Sequence, residues 1–539
     1  MNRNSFFFFI IILFLGASIV GDYGISMDEP IERKHGIVAF DYLNEKFNLF
    51  PGIEKGTGEN LNTYDHRDYG MIFQLAAYGL ELLLGINNSR DVFLLRHLLV
   101  FILFWLSLVF FYKIIVWQYK DWRIGILGVL FFLLSPRLFA ESFYNPKDIP
   151  IMAFFIIATY TLIRFLYQDK KSNAVWHGIA CGLAISTRIV GIILPVFTLI
   201  LVLFKIFGAR RAGKQWLSVI SGTVIFLFSV LLATFLFWPV LWENPVDSFL
   251  YSFNSMKKFR WYGNILLWGE LVNSNALPWH YIPSWILVTT PLSFILFFIT
   301  GIFSMVRSFL MEKKAFLFDQ KNQADLIYLG LFLGPLFSVI LFNSVLYNGW
   351  RHLYFIYPFF LLIGMRGFMT LFLFVKKSFN EKKQILVSGV LSLLVVFNLL
   401  QTLVFMIRFH PHQNVYFNEL ARNVEHNFER DYYGLSYKQA LKYLLENTEG
   451  DTLKIFSHDF IGKINTMNFP KKEAERLHFV PDQKNADYFI SLLNPRNEKE
   501  YVDMIQKNEL YNNPEFFNIK VKGYRVISIF KLNNEKKSP

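Results

Sequence analysis

Apolar runs of about the length that crosses a bilayer recur along this chain, separated by short polar turns. They cover 92 to 118, 123 to 140, 149 to 167, 216 to 238, 284 to 306, 326 to 346, 353 to 375 and 385 to 407. A shorter run from Ser5 to Gly21 opens the chain. It reads as a cleaved signal peptide or a retained span; no small-x-small site follows it, which favours a span, and Asp28 lands beyond it either way. Between Trp176 and Phe207 one long span would reverse sidedness, although Lys170 and Lys171 before it and Arg210, Arg211 and Lys214 after it all belong on the cytoplasmic side. Two shorter spans turning near Arg188 satisfy both groups. The pairs Lys120 and Arg123, Lys313 and Lys314, and the group Lys376, Lys377, Lys382 and Lys383 then agree, giving about eleven spans with the N-terminus cytoplasmic and the C-terminus outside.

This topology leaves two large extracytoplasmic loops, 22–91 and 239–283, and a polar tail from 408 onward. Pro30 to Phe47 reads as a helix opened by proline, with Asp28-Glu29 at its start. Tyr69 to Leu84 is apolar but carries Gln74 and Glu81 and is short for a span, so a helix lying at the interface is expected. In the tail, helical spacing over Tyr437 to Glu446 precedes strand-like runs at Leu453 to Phe456, Tyr488 to Leu492 and Tyr524 to Leu532. The expected fold is mainly α, a polytopic membrane unit over 1–407 joined to a small extracytoplasmic α/β domain over 408–539.

Composition agrees. The chain has 539 residues, 54% of them hydrophobic, with 61 Phe and 12 Trp, beyond the ordinary soluble range of about 45–50%. Its net charge of +13 sits in short clusters between apolar runs, a topological signal rather than a nucleic-acid footprint. A single cysteine, Cys181, excludes a disulfide framework or cysteine metal site within the chain. No Gly-rich phosphate loop stands between a strand and a helix, and no internal repeat is found.

Chemistry then concentrates in three polar turns, all on the outer side by this topology. Asp28 and Glu29 follow the first run; a carboxylate at a helix start is ordinarily a cap, and an acid pair alone favours that reading. The turn from Ser135 to Pro150 holds Arg137, Glu141, Lys147 and Asp148. An Asn-Pro turn with an Asp cap explains part of it, yet charges at membrane depth are costly and default to function. The third turn, Asn348 to Pro358, contains Arg351 and His352. Arg351 is either an interfacial anchor beside Trp350 or a fork for phosphate. Arg188, His280 and Tyr281 are further donors on that side. An enzyme with no nucleotide site outside the membrane draws an activated substrate from elsewhere, and a lipid phosphate ester is the natural source.

In this order the parts resemble the polyprenyl-phosphate-dependent glycosyltransferases of the GT-C fold, specifically the family 39 group that includes protein O-mannosyltransferases and the lipid A aminoarabinose transferase. The resemblance is carried by Asp28-Glu29, by Phe143 to Asp148, by Gly349 to Tyr354, and by the segments Leu277 to Pro283 and His410 to Glu419. It implies inverting transfer of a sugar from a polyprenyl phosphate to an extracytoplasmic acceptor, in a multi-pass protein of the bacterial inner membrane. Asp28, with Glu29 and Asp148, forms the implied catalytic set, and Asp28 is the general base. Arg351, with Lys147, Arg188 and His352, is implied at the donor phosphate. His280, Tyr281, Glu141 and Arg137 are candidates for the substrate site. No cofactor is implied with certainty; a divalent cation between Asp28 and Asp148 stays open, as does the role of Asp148 in orienting the acceptor. The alternative is a transporter or flippase of lipid-linked sugars, which would share the spans and the cationic lip.

Overall fold

Apolar side chains dictate long helices here, and the polar turns between them bring distant segments together. A computed structural model describes residues 2–53, 56–168, 170–211, 216–257, 260–312, 320–494 and 509–532. Lys214, Lys313 and Lys314 of the charge pattern lie outside the described residues. The membrane unit begins with α1 (Arg3–Ile19), α2 (Glu29–Phe47) and α3 (Ile72–Leu83). It continues through α4 (Ser89–Tyr119), α5 (Trp122–Leu133), α6 (Pro136–Tyr144), α7 (Asp148–Tyr167) and α8 (Lys171–Ile185). Next come α9 (Ile193–Arg211), α10 (Trp216–Phe237), α11 (Pro245–Lys257), α12 (Tyr281–Thr289) and α13 (Leu292–Glu312). The unit closes with α14 (Gln320–Leu341), α15 (Tyr357–Ser378) and α16 (Glu381–Arg408). Both helices expected in the first loop, α2 and α3, are present.

Among the described residues nine helices are long and apolar enough to cross a membrane, ten if the bent pair α5 and α6 is one span. About eleven were expected from the sequence. The difference is α8: with 15 residues it reaches about 22 Å at 1.5 Å per residue, short for a span, yet it leads from Lys171 back to the turn at Arg188, which pairs with Asp148. Two other expected spans are broken. The 123–140 run bends by 74° after Leu133, where Pro136 opens a new helix instead of continuing the old one. The 284–306 run divides at Pro291 between α12 and α13 for the same reason. Short α8 packs closely on α10: a Cβ on Gly178 would lie 2.4 Å from the Ser229 Cβ, and one on Gly182 2.5 Å from the Ala233 Cβ. Such small faces let helices meet where lipid supplies no hydrophobic drive between them.

The second loop carries a hairpin the sequence reading missed, β1 (Asn264–Leu267) antiparallel to β2 (Glu270–Asn273). Its turn puts Trp268 and Gly269 at positive φ, the geometry that matches strand twist. In the tail, α17 (Tyr437–Asn447) backs a five-stranded sheet of order β4-β3-β5-β7-β6. Strands β3 (Leu453–Phe456), β5 (Tyr488–Ser491) and β7 (Tyr524–Lys531) fall on the expected runs. The other two are β4 (Leu477–Phe479) and β6 (Glu515–Val521). From Tyr437 on, this module has its own core, built from Leu441, Ile455, Ile490 and Ile529, whereas Val415, Tyr416, Phe428 and Tyr433 join the core of the bundle.

Candidate active site

Asp28 stands immediately before α2, where a capping carboxylate would bind the free N–H groups of the first turn, yet its side chain makes no such bond. Its Oδ2 instead accepts from Arg351 Nη1 at 2.7 Å, across 323 positions of sequence. The same Nη1 donates to Asp148 Oδ2 at 3.4 Å and to the Tyr433 hydroxyl at 3.0 Å. Arg351 and Asp148 are each 1% exposed, Asp28 20%, so of the three the Asp28 carboxylate is the one a substrate can reach. A surface anchor would keep its guanidinium in water. Arg351 does not.

Local rules explain how these groups are held. The Asn348-Gly349 turn, both residues at positive φ, delivers Arg351 to the base of α15, and Tyr281 fastens it by donating to the Gly349 carbonyl at 2.8 Å. Asp148 opens α7, its backbone N–H bonded to Asn145 Oδ1 at 2.8 Å. The Asn145 amide donates to Asp148 Oδ2 at 3.1 Å and to Glu141 Oε2 at 2.7 Å. Glu141, fully buried on α6, also accepts from Tyr354 at 2.5 Å and Tyr432 at 2.8 Å. Arg188 pairs with Asp148 Oδ1 from the turn between α8 and α9.

Lys147 lies 3.3 Å from Glu32 Oε1 and 3.9 Å from the centre of the Tyr69 ring. Burial by itself would push the Lys147 ammonium toward its neutral form, but Tyr69, Glu32 and Asp28 outweigh it and the net shift is upward. Burial likewise raises Glu32, and here Lys147 and His35 win, holding the carboxyl below the usual range. Gln74 on α3 donates to Glu32 Oε2 at 3.0 Å and accepts from Arg96, which pairs with Glu81. The polar residues that marked α3 as no ordinary span thus face α2 and α4.

Other expected members sit apart. Glu29 Oε2 accepts from the Ser26 N–H at 2.7 Å, and Oε1 lies 2.9 Å from His97 Nε2 without hydrogen-bond alignment. Arg137 donates to the Tyr416 carbonyl at 3.0 Å and lies over the Phe417 ring. It binds the segment after α16 to the bundle. His280 approaches Ser284, and His352 rests edge-on against Tyr347. Neither histidine lines the cavity beside Asp28.

That cavity, of 370 Å³, is bordered by Asp28, Arg351, Tyr347 and Tyr432 from the bundle side and by His458, Asp459 and Leu492 to Asn494 from the tail module. Tyr432, Tyr433 and the module's contribution escaped the sequence reading. The one signal was an unusual aromatic pair between Asp431 and Gly434. The acid turn itself is clasped by the module: Asn465 exchanges hydrogen bonds of 3.1 and 3.0 Å with the N–H and carbonyl of Ile25. A Cβ on Gly24 would come within 2.4 Å of the Leu435 carbonyl oxygen, so glycine permits the contact. For metal, no group of three or more His, Cys, Asp or Glu converges among the described residues. The cation shared by Asp28 and Asp148 here is the Arg351 guanidinium.

A multi-pass membrane protein with a buried, charged site roofed by a small α/β module is thereby defined. Residues 75–238 match the family described as dolichyl-phosphate-mannose-protein mannosyltransferase, and over that stretch the resemblance read from the sequence holds. No curated protein matches the chain. Similar solved structures include ArnT from Cupriavidus metallidurans in the apo state, 12% identical, covering 98% of each chain with a TM-score of 0.48. Another is the archaeal oligosaccharyltransferase AglB from Archaeoglobus fulgidus in complex with an inhibitory peptide and a dolichol-phosphate, 12% identical, covering 100% of this chain and 75% of that chain with a TM-score of 0.47.

Proposed function

We propose that this protein is a membrane glycosyltransferase that moves a sugar, with inversion, from a polyprenyl phosphate to an extracytoplasmic acceptor, with Asp28 as general base. The observation that supports it best is that Asp28 leaves its cap position free and turns, beside Arg351, toward a cavity. In the reaction the acceptor oxygen attacks the anomeric carbon as its proton passes to Asp28; the bond from that carbon to the phosphate oxygen breaks, and the electron pair leaves with the lipid phosphate. The leaving phosphate needs charge stabilisation, which Arg351, Lys147 and Arg188 offer from fixed positions. Asp148 holds Arg351 and Arg188 in place. The matched family points to the same donor class.

The division into a catalytic unit, 1–407, and an extracytoplasmic domain, 408–539, belongs to this proposal. So do the bacterial inner membrane and a site facing outward, with the N-terminus inside and the C-terminus outside, as the Lys and Arg distribution requires. The test is Asp28→Asn in reconstituted protein. Transfer falls by about 10²–10⁴-fold while donor lipid is still bound. A flippase needs no base, so undiminished activity in this variant removes the enzyme reading in favour of transport.

A further inference from the structure

A second cavity lies where the tail module meets the end of α1 and the start of α4. It encloses 550 Å³, and none of Lys147, Arg188 and Arg351 borders it. Two helix faces oppose each other across it. Arg90, Phe93, Leu94 and His97, at i, i+3, i+4 and i+7 of α4, form one; Lys438, Lys442 and Leu445, at i, i+4 and i+7 of α17, form the other. His97 closes the inner end, with its Nε2 2.9 Å from Glu29 Oε1.

Two of the cations have no anion. Arg90, exposed at the second residue of α4, makes no hydrogen bond or ion pair with any described residue. Lys438 donates to the carbonyls of Gly21 and, at 3.0 Å, Tyr23, bonds that fix the ammonium without neutralising it. Burial lowers its pKa to about 8; Asp22 opposes this, but Arg90 and Lys442 push it further down, like charges turned on one another. Asp22 itself is held by His410 at 2.8 Å. The carboxylates of the lining, Glu446 and Glu473, are exposed, and Glu446 lies 3.8 Å from Lys442. An anion bound between Arg90 and Lys438 relieves their repulsion.

The height of the cavity says which anion. Helix α4 has 31 residues, about 46 Å at 1.5 Å each, which matches a bilayer with both headgroup layers, about 40–45 Å. Its first turn, with Arg90, therefore stands at the level of the lipid phosphates. Gly21, two residues beyond α1, lines the same cavity. So do Phe93, Leu94 and Phe469, an apolar wall that a free anion does not need and an acyl chain does. The volume falls within the range of ligand pockets, about 300–1,000 Å³. We propose that this groove binds the phosphodiester headgroup of an anionic membrane lipid, its phosphate between Arg90 and Lys438 and the first methylenes of its chains against Phe93, Leu94 and Phe469. A lipid held there bridges the tail module and the bundle.

The experiment titrates the full chain, purified in detergent and stripped of endogenous lipid, with dioleoylphosphatidylglycerol and with dioleoylphosphatidylcholine, and reads the adducts by native mass spectrometry. Phosphatidylglycerol is expected to bind about tenfold more tightly than phosphatidylcholine. Arg90→Gln lowers its affinity about fivefold, the loss of one cation beside an anionic lipid, and Arg90→Lys restores it, because a point charge suffices for one phosphate. Lys171→Gln, which removes an exposed cation far from the groove, leaves the affinity unchanged. In a Cys181→Ala background, maleimide labelling of Leu94→Cys is slowed by phosphatidylglycerol, which locates the lipid in the groove. Equal binding of the two lipids, undiminished affinity in Arg90→Gln, an equal loss in Lys171→Gln or unchanged labelling of Leu94→Cys overturns the proposal. Displacement of phosphatidylglycerol by millimolar inorganic phosphate makes the site one for the free anion and overturns the lipid assignment. None of these readouts involves sugar transfer, so failure here and failure of the proposed function are separate results.

Discussion

Arg351 directs three hydrogen bonds through a single nitrogen, Nη1, to Asp28, Asp148 and Tyr433. An ammonium offers three N–H donors at one point against the two on Nη1, so a lysine there can still bridge the two acids. It has no counterpart to Nε, which has no acceptor among the described residues, nor to the planar fork that meets a phosphate bidentately. Arg351→Lys is therefore expected to insert and fold normally but to lose donor affinity or turnover by about tenfold or more, one charge-assisted bond amounting to roughly 1.5–3 kcal/mol. Arg351→Ala, which takes one cationic partner from buried Asp148 and one from half-buried Asp28, fares worse. Transfer rates against donor concentration at matched expression decide it, and wild-type behaviour of the lysine variant would detach Arg351 from the phosphate. Glu32 makes a pH-dependent counterpart. Its folded pKa is depressed, so the stability it contributes is present above the unfolded value of about 4.3 and is lost as pH falls through the folded value. The gap in apparent Tm between wild type and Glu32→Gln is expected to be widest at neutral pH and to narrow below about pH 4. A gap that widens on acidification contradicts the assignment.

Helix α6 shows how one buried element holds several parts of the site together. Its nine residues are all buried, and Glu141 gathers Tyr354 from the base of α15, Tyr432 from the tail and Asn145 from the next turn. Through Asn145 it fixes Asp148; through Tyr432 it fixes one wall of the cavity. Glu141→Ala removes the acceptor shared by Tyr354, Tyr432 and Asn145, of which Asn145 keeps Asp148; a buried donor left without an acceptor costs about 1–3 kcal/mol where water does not replace it. Apparent Tm and transfer are both expected to fall. Glu141→Gln retains an oxygen for the tyrosines and recovers most of the stability. Equal thermal stability of Glu141→Ala and wild type would show that this junction is held by other contacts.

For the whole molecule the decisive matter is which end of the bundle faces outward. The site lies at the start of α7, and Lys171 lies beyond its other end. Single cysteines at Gly58, Tyr262 and Lys171, all exposed, in a Cys181→Ala background, are expected to divide: the first two react with an impermeant maleimide in intact cells, and the third only after permeabilisation. The reverse result inverts the topology and removes the proposed access to an extracytoplasmic acceptor. Asn145, although on the same turn as Asp148, is unsuitable as a reporter because it is 2% exposed.

Local sequence was enough for what depends on local physics. Runs of apolar residues specify helices because a backbone in lipid must satisfy its own hydrogen bonds; α4, α7, α10 and α16 follow from that. The spacing from Tyr437 specified α17, and the apolar stretch at Tyr524 specified β7. Asp28, Asp148, Arg188 and Arg351 stood out because ionisable groups at membrane depth are costly. Tertiary structure alone decided that these four converge, since the contact of Asp28 with Arg351 spans 323 positions and no periodicity encodes it. It also decided that Asp28 is not a cap, that Arg137 braces the segment after α16, and that the Tyr432-Tyr433 pair and the tail module complete the cavity. A side chain's partners depend on which surfaces the packed helices bring together, and that information exists only once the bundle has formed.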